Sequence, residues 1–276
     1  MHRMNDLAVM ALSRLKHWHQ RRVLGGLSRV GMTINLPVNG VRILLDPRHD
    51  YVQWQMVSNR AWERPVEELI GEISRGSRLV FDVGANIGYF SLLSASRMPP
   101  GATVVAFEPY PPNFDLLRKN TQMNGFDGIV RCEGLAISAS PGPVRLYYGE
   151  WDSNSGTPSM LGRDGEGGRS MEARSTSLDA YREEHFPGED VDLVKVDVEG
   201  GEYEVLLGME AGLRAGRYRK IIVEVHPAQL GLAGKSPAMI LDRLAGFGYA
   251  AREIGRDGLE DAFELKDETQ KFLFSR

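Results

Sequence analysis

The run Leu79-Val80-Phe81-Asp82-Val83, stopped by a glycine and followed at once by a helical pattern, limits what this chain can become more than any other feature. Four apolar residues interrupted by one carboxylate make a strand buried on both faces. Gly84-Ala85-Asn86-Ile87-Gly88 then turns into a helix carrying Tyr89, Phe90, Leu92 and Leu93, which must stop before Pro99-Pro100-Gly101. The same unit repeats. Residues 103–107 read as a second strand, Phe114 and Leu117 mark a second helix that Gly125 can cap, and residues 129–132 read as a third strand. Residues 191–196 and 220–225 supply two more strands. Helices are read at Tyr203–Leu207 and around Ile240, Leu241, Leu244 and Phe247, the last closed by Gly248. Residues 249–254 and 271–274 follow without a clear helix between them, so one of this pair should run antiparallel. Strands alternating with helices predict a doubly wound, mostly parallel, seven-stranded α/β sheet of Rossmann-like type.

The division expected is an N-terminal extension over 1–62 and the α/β domain over 63–276. Leu7, Met10, Ala11, Arg14 and Leu15 fall at helical spacing among Arg3, Lys16, Arg21, Arg22 and Arg29. This segment reads either as a helix covering the domain or as a basic amphipathic helix touching an anionic membrane surface. Residues 32–45 read as a hairpin turning at Asn39-Gly40, and Pro65 sits near the start of a helix with Val66, Leu69, Ile70 and Ile73 on one face. No apolar run reaches the roughly 18–20 residues of a spanning helix. A net charge of −4 argues against nucleic acid as partner, and the single cysteine, Cys132, excludes an intrachain disulfide; both suit a cytoplasmic protein.

Two positions point to a cofactor. The glycine turn lets a ligand approach backbone closely, and Glu108, twenty residues after Gly88 at the end of the second strand, can accept hydrogen bonds from both hydroxyls of a ribose. Dinucleotide sites favour Gly-x-Gly-x-x-Gly, whereas here Gly84 and Gly88 flank Asn86. S-adenosyl-L-methionine (SAM) has no phosphate, and Asp82 suits its ammonium group better than a pyrophosphate. NAD and a purely structural turn stay as alternatives. The cofactor residues expected are Asp82, Gly84, Ala85, Asn86, Gly88, Glu108, Ala136 and Asp197.

Ligands of open α/β sheets sit outside the carboxyl ends of the strands. There the fourth strand ends in Lys195-Val196-Asp197-Val198-Glu199-Gly200-Gly201-Glu202, and the fifth in Glu224-Val225-His226-Pro227. Asp197, Glu199 and His226 are the catalytic candidates, with Asp197 or His226 as base and Glu199 holding a neighbouring hydroxyl. Glu202 reads as a first-turn acid favourable with the helix dipole. The site is expected to work without a metal; a variant places a divalent cation on Asp197 with Glu224 or His226. The Gly/Ser/Asp-rich stretch over 150–168, with Trp151, Asp152, Asn154, Ser155 and Ser159, is expected to cover an acceptor.

These pieces together resemble the FkbM family of SAM methyltransferases: Asp82 through Ser91, Phe107-Glu108-Pro109 with Asn113, Ser177-Leu178-Asp179, Lys195 through Leu206, and Glu224 with His226-Pro227. The resemblance spans roughly residues 60–275. It implies the class I SAM methyltransferase fold and O-methylation of a sugar, glycan, glycolipid or related natural product. Asp197-Val198-Glu199-Gly200 replaces the Asn/Asp-Pro-Pro-aromatic signature of N6-adenine methyltransferases, against a nucleobase acceptor. Two other classes stay in play: a SAM-binding scaffold without turnover, and an NAD-linked oxidoreductase.

Overall fold

The computed structural model describes residues 32–35, 40–45, 63–149, 159 and 168–276. The N-terminal segment expected to form a basic helix, and Trp151, Asp152, Asn154 and Ser155, lie outside the described residues.

A two-stranded hairpin comes first, β1 (Met32–Asn35) and β2 (Arg42–Leu45), paired antiparallel with Asn35 opposite Arg42. Asn39 of the expected Asn39-Gly40 turn lies outside the described residues. Val41 and Ile43 are buried, and Asn120 accepts the Leu44 amide and donates to its carbonyl, which docks β2 against the domain. Helix α1 (Arg64–Ser74) follows, with proline in its first turn and Val66 and Ile70 buried.

The alternating units then appear in order: β3 (Leu79–Val83), α2 (Tyr89–Arg97), β4 (Thr103–Phe107), α3 (Pro111–Met123) and β5 (Val130–Glu133). Gly125, at φ 69, ends α3: its amide bonds to Gln122 O and that of Phe126 to Thr121 O, which satisfies carbonyls left over at the helix end. A side sheet comes next, of β6 (Ala136–Ile137), β7 (Gly142–Gly149) and β8 (Gly168–Thr176), in the order β6-β8-β7. Then come α4 (Leu178–His185), β9 (Leu193–Val196), α5 (Glu202–Leu207), α6 (Glu210–Ala215), β10 (Lys220–Val225), α7 (Pro227–Leu232) and α8 (Pro237–Gly246). The described chain ends with β11 (Ala250–Gly255), β12 (Gly258–Glu260) and β13 (Gln270–Ser275).

The main sheet runs β12-β11-β13-β10-β9-β3-β4-β5. From β10 to β5 all pairs are parallel; β13 enters antiparallel between β10 and β11, as the missing helix before it required. The seven expected strands are all present, and short β12 adds an eighth at the edge.

Strand alternation sorts the side chains onto two cores. Leu79, Phe81 and Val83 join Val194, Val196, Ile221 and Val223 on one face, under α4, α5, α6 and α8. Val80, Val104, Ala106 and Ile222 join Ile70, Leu92 and Leu117 on the other, under α1, α2 and α3. By the same parity Asp82 falls on the second face beside Lys195, its register partner on β9, and Glu224 sits opposite Lys271 of β13. A row of buried charge thus crosses the carboxyl ends of the central strands, where a crossover in strand order between β3 and β9 opens a crevice.

Candidate functional site

The turn after β3 is built by close approach of backbone. Gly84 has φ 80, and a Cβ there would stand 1.8 Å from the Asp197 carbonyl oxygen. The end of β9 pressing on the turn thus demands glycine here. The Gly84 and Ala85 amides both bond to Phe107 O, and the Gly88 amide to Ala85 O. The Asn86 amide bonds to Glu108 Oε2 at 2.9 Å, while Tyr110 donates its amide to Glu108 Oε1 at 2.8 Å. These four loop amides already have protein acceptors, so the turn is not the open cradle of N–H groups that a pyrophosphate needs.

Asp82 lies 2% exposed. Its Oδ2 accepts from Ser91 Oγ at 2.6 Å, and its Oδ1 is buried with no hydrogen-bond partner. Burial raises its pKa, against the pull of Lys195. Burial likewise pushes Glu108 up to about 7, against the Tyr110 and Asn86 amides. Ala136 stands further along the same strand ends, buried at the start of β6 beside Ser175.

The catalytic candidates meet. Asp197 follows β9, its amide bonded to Val83 O, and its Oδ2 accepts from Lys195 Nζ at 2.9 Å. Burial works against its charge, yet Lys195 and His226 hold the carboxyl below the ordinary range. His226 Nε2 is 3.6 Å from Glu199 Oε2 and 3.7 Å from Glu224 Oε1. The Asp197 and Glu199 side chains keep 25% and 19% exposure against 6% for His226, so the cluster opens outward through its carboxylates. Burial, with Asp197 and Glu63 nearby, lifts Glu224 to about 8, with Lys271 opposing.

Glu202 stands in the first turn of α5 as expected, and it is fully buried there. Its Oε1 receives the Gly200 amide at 2.9 Å and lies 2.6 Å from His226 Nδ1. One carboxylate thus fixes both the turn that carries Glu199 and the imidazole that faces it. Burial disfavours the imidazolium, but Glu202, Asp197 and Glu199 outweigh it and carry His226 up to about 9. Sequence spacing gave no sign of this pairing, because only the β9–β10 adjacency brings residue 226 to residue 202. Lys271 and Glu63 were missed as well: Lys271 Nζ spans Glu63 Oε1 at 2.8 Å and Glu224 Oε1 at 3.3 Å.

Among the described residues, Glu63, Asn86 and Glu199 are the non-glycine residues with positive φ, at 51, 51 and 50. Each such conformation costs about 1–2 kcal/mol outside glycine, somewhat less for asparagine. All three fall on this one crevice, where strain persists only if the surroundings enforce it. The side sheet reaches here too. Ser159, within the stretch expected to cover an acceptor, bridges to Tyr147 and donates its Oγ to the Glu199 carbonyl at 2.6 Å.

Glu108 makes stability depend on pH. Its folded pKa of about 7 stands above the ordinary 4.5, so the folded state holds the proton more tightly. That contribution is complete below about pH 4.5 and is lost as pH rises through 7, about 3 kcal/mol in order of magnitude. Urea denaturation of the cofactor-free protein at pH 5 and pH 8 should show Glu108→Gln losing less stability over this interval than wild type. Equal losses would contradict the assignment.

No helix among the described residues is long and apolar enough to cross a membrane. A model of the methyltransferase FkbM domain matches residues 82–251. The chain is similar to the AMB antimetabolite synthetase AmbE of Pseudomonas aeruginosa, 32% identical over 63% of this chain and 10% of the relative. It is similar to the hexuronic acid methyltransferase AglP of Haloferax volcanii, 32% identical over 59% of this chain and 62% of the relative. The 31-O-demethyl-FK506 methyltransferase FkbM of Streptomyces tacrolimicus is 29% identical over 78% of this chain and 88% of the relative. The chain therefore spans a tenth of the first and under two thirds of the second.

Proposed function

Because the chain belongs to the FkbM methyltransferase family, we propose that it transfers a methyl group from SAM to a hydroxyl oxygen of a sugar, glycan, glycolipid or related natural product. The observation that carries this reading is the meeting of Asp197, Glu199 and His226 beside the Gly84–Gly88 turn. The names of two relatives, a hexuronic acid methyltransferase and a 31-O-demethyl-FK506 methyltransferase, support the acceptor class.

The residues fit the cofactor. The orphaned Oδ1 of Asp82 is a buried acceptor suited to an ammonium group, and the two oxygens of Glu108 retain lone pairs for two ribose hydroxyls. Gly84, Ala85, Asn86, Gly88 and Ala136 form the surrounding wall in this reading. Bound SAM supplies an electrophilic methyl group. Asp197 stands between cofactor and acceptor, its negative charge complementary to a sulfonium. Glu199 and His226 orient the acceptor hydroxyl, and Asp197, kept ionised beside Lys195, receives its proton. Holding oxygen and methyl carbon in line supplies much of the acceleration.

Two measurements test this reading. Glu108→Ala is expected to weaken SAM binding by about 1–3 kcal/mol, the loss of charge-assisted hydrogen bonds to ribose; unchanged affinity in calorimetry removes Glu108 from the site. Incubation with labelled SAM and sugar, glycolipid and metabolite extracts, followed by mass spectrometry, should give a product carrying a methyl ether. Label found only on nitrogen, or on no product while SAM binds tightly, would contradict O-methylation.

A further inference from the structure

One ligating atom each from Asp197, Glu199 and His226 can be chosen so that all three lie within 4.8 Å of one another. On His226 the available atom is Nε2, since Nδ1 is engaged by Glu202. Its separations of 3.6 Å from Glu199 Oε2 and 3.7 Å from Glu224 Oε1 are long for hydrogen bonds. The His226–Glu199 separation lies between the spacings of two ligands on one octahedral ion, about 3 Å for neighbours and about 4.2 Å for opposite positions when bonds are near 2.1 Å, so a small side-chain movement would set the two as neighbours. We propose that Asp197, Glu199 and His226 bind one divalent cation of the Mg2+ or Mn2+ kind, on which the acceptor hydroxyl is held for methyl transfer.

The inference rests on the methyl-transfer reading above, and three observations lead from the cluster to an ion. The first is the shell behind the imidazole. Glu202 is fully buried, lies 2.6 Å from Nδ1 and leaves its own Oε2 without a partner. A buried carboxylate on the far nitrogen fixes tautomer and ring direction in metal-binding histidines. The second is charge. Lys195 pairs with Asp197, and Lys271 with Glu63 and Glu224, which leaves Glu199 and Glu202 with His226 as their one charged partner, Glu199 Oε2 also accepting from Gln229 Nε2 at 3.2 Å. The third is access: the two carboxylates keep partial exposure, so three protein ligands would occupy one side of an ion and leave the other side to substrate and water. Two carboxylate oxygens suit Mg2+ or Mn2+, and the one imidazole nitrogen tilts the choice toward Mn2+.

Such an ion acts as a Lewis acid. A hydroxyl that joined it as a ligand would lose its proton to water on the open side of the ion. The oxygen keeps the electron pair of that O–H bond and forms the new bond to the methyl carbon. The carbon–sulfur bond breaks with its electrons returning to sulfur, so charge and atoms balance without a further reactant.

Titration of the full chain with Mn2+, reading the free ion by electron paramagnetic resonance, tests the site directly. One Mn2+ per chain is expected, with binding weakened tenfold or more in His226→Gln and Asp197→Asn and unchanged in Glu253→Gln, a carboxylate on β11. Circular dichroism and SAM calorimetry on each variant separate loss of the ion from loss of the fold. Should both variants unfold, displacement of Mn2+ by Mg2+ from the wild-type chain gives an independent readout. A wild-type chain that binds no Mn2+, or a folded His226→Gln that binds it equally well, overturns the proposal. So does labelled methyl transfer that continues at full rate after chelation. A chain that binds Mn2+ at this site but never SAM would sink the methyl-transfer reading and leave the ion site standing.

Discussion

Replacing Asp197 with asparagine is expected to cut methyl transfer by about 10²–10⁴-fold while changing SAM affinity far less. Asparagine keeps the shape of the side chain, so the Asp197 amide can still bond to Val83 O and the backbone contact with the Gly84 turn survives. What disappears is the charge that pairs with Lys195 at 2.9 Å. The Lys195 side chain, 5% exposed, would then rely on Asp82 and Glu224, whose fields also favour its charged form. Stability should therefore fall too, by a fraction of the roughly 3–5 kcal/mol that an unpaired buried charge costs. Turnover must be compared at temperatures where the variant is folded, with SAM affinity measured alongside. Near-wild-type turnover would remove Asp197 from the reaction, and a fall that tracks lost SAM affinity would make it a cofactor ligand alone.

Gly84→Val should fail at an earlier stage, in folding. The added Cβ would lie 1.8 Å from the Asp197 carbonyl oxygen and 2.9 Å from its carbon, both backbone atoms that no rotamer can clear. The positive φ adds a penalty that a β-branched residue meets badly. A loss beyond about 4 kcal/mol is expected, enough to leave much of the protein unfolded. Gly88→Ala gives the contrast. Its Cβ would meet Leu117 Cδ1 at 2.6 Å, the far end of a flexible side chain, so the cost should stay near the conformational strain of about 1–2 kcal/mol. Urea midpoints of the two variants measure the difference. A Gly84→Val protein with a wild-type midpoint would show that β9 does not press on this turn as described.

The central strands β3, β4, β9 and β10 were legible because each is a short, mostly apolar and mostly buried run. The elements that escaped are those stabilised by partners instead of pattern. Strand β8, Gly-Arg-Ser-Met-Glu-Ala-Arg-Ser-Thr, reads as a polar loop and becomes a strand only by pairing along the whole of β7. Helices α6 and α7 have six residues each, too short for a helical period to stand out. The candidate site divides in the same way. Asp82, Glu108 and Asp197 announce themselves as carboxylates at strand ends. Glu202 and Lys271 do not, because an acid at a helix start and a lysine in a last strand have ordinary solvated explanations. Their burial follows from contacts 24 residues apart for Glu202–His226, and farther still for Lys271 with Glu63.

The position of β13 also orders events during synthesis. In the main sheet β11 pairs with β13 and β12, never with β10. Residues 250–255 therefore have no neighbour toward the centre of the sheet until residues 270–275 lie between β10 and β11, which also brings Lys271 beside Glu63 and Glu224. A nascent chain halted short of that strand would carry the glycine turn and the Asp197 segment but leave the β10 edge open, exposing backbone to edge-to-edge aggregation. The buried charge of the crevice is balanced only when translation has passed residue 271.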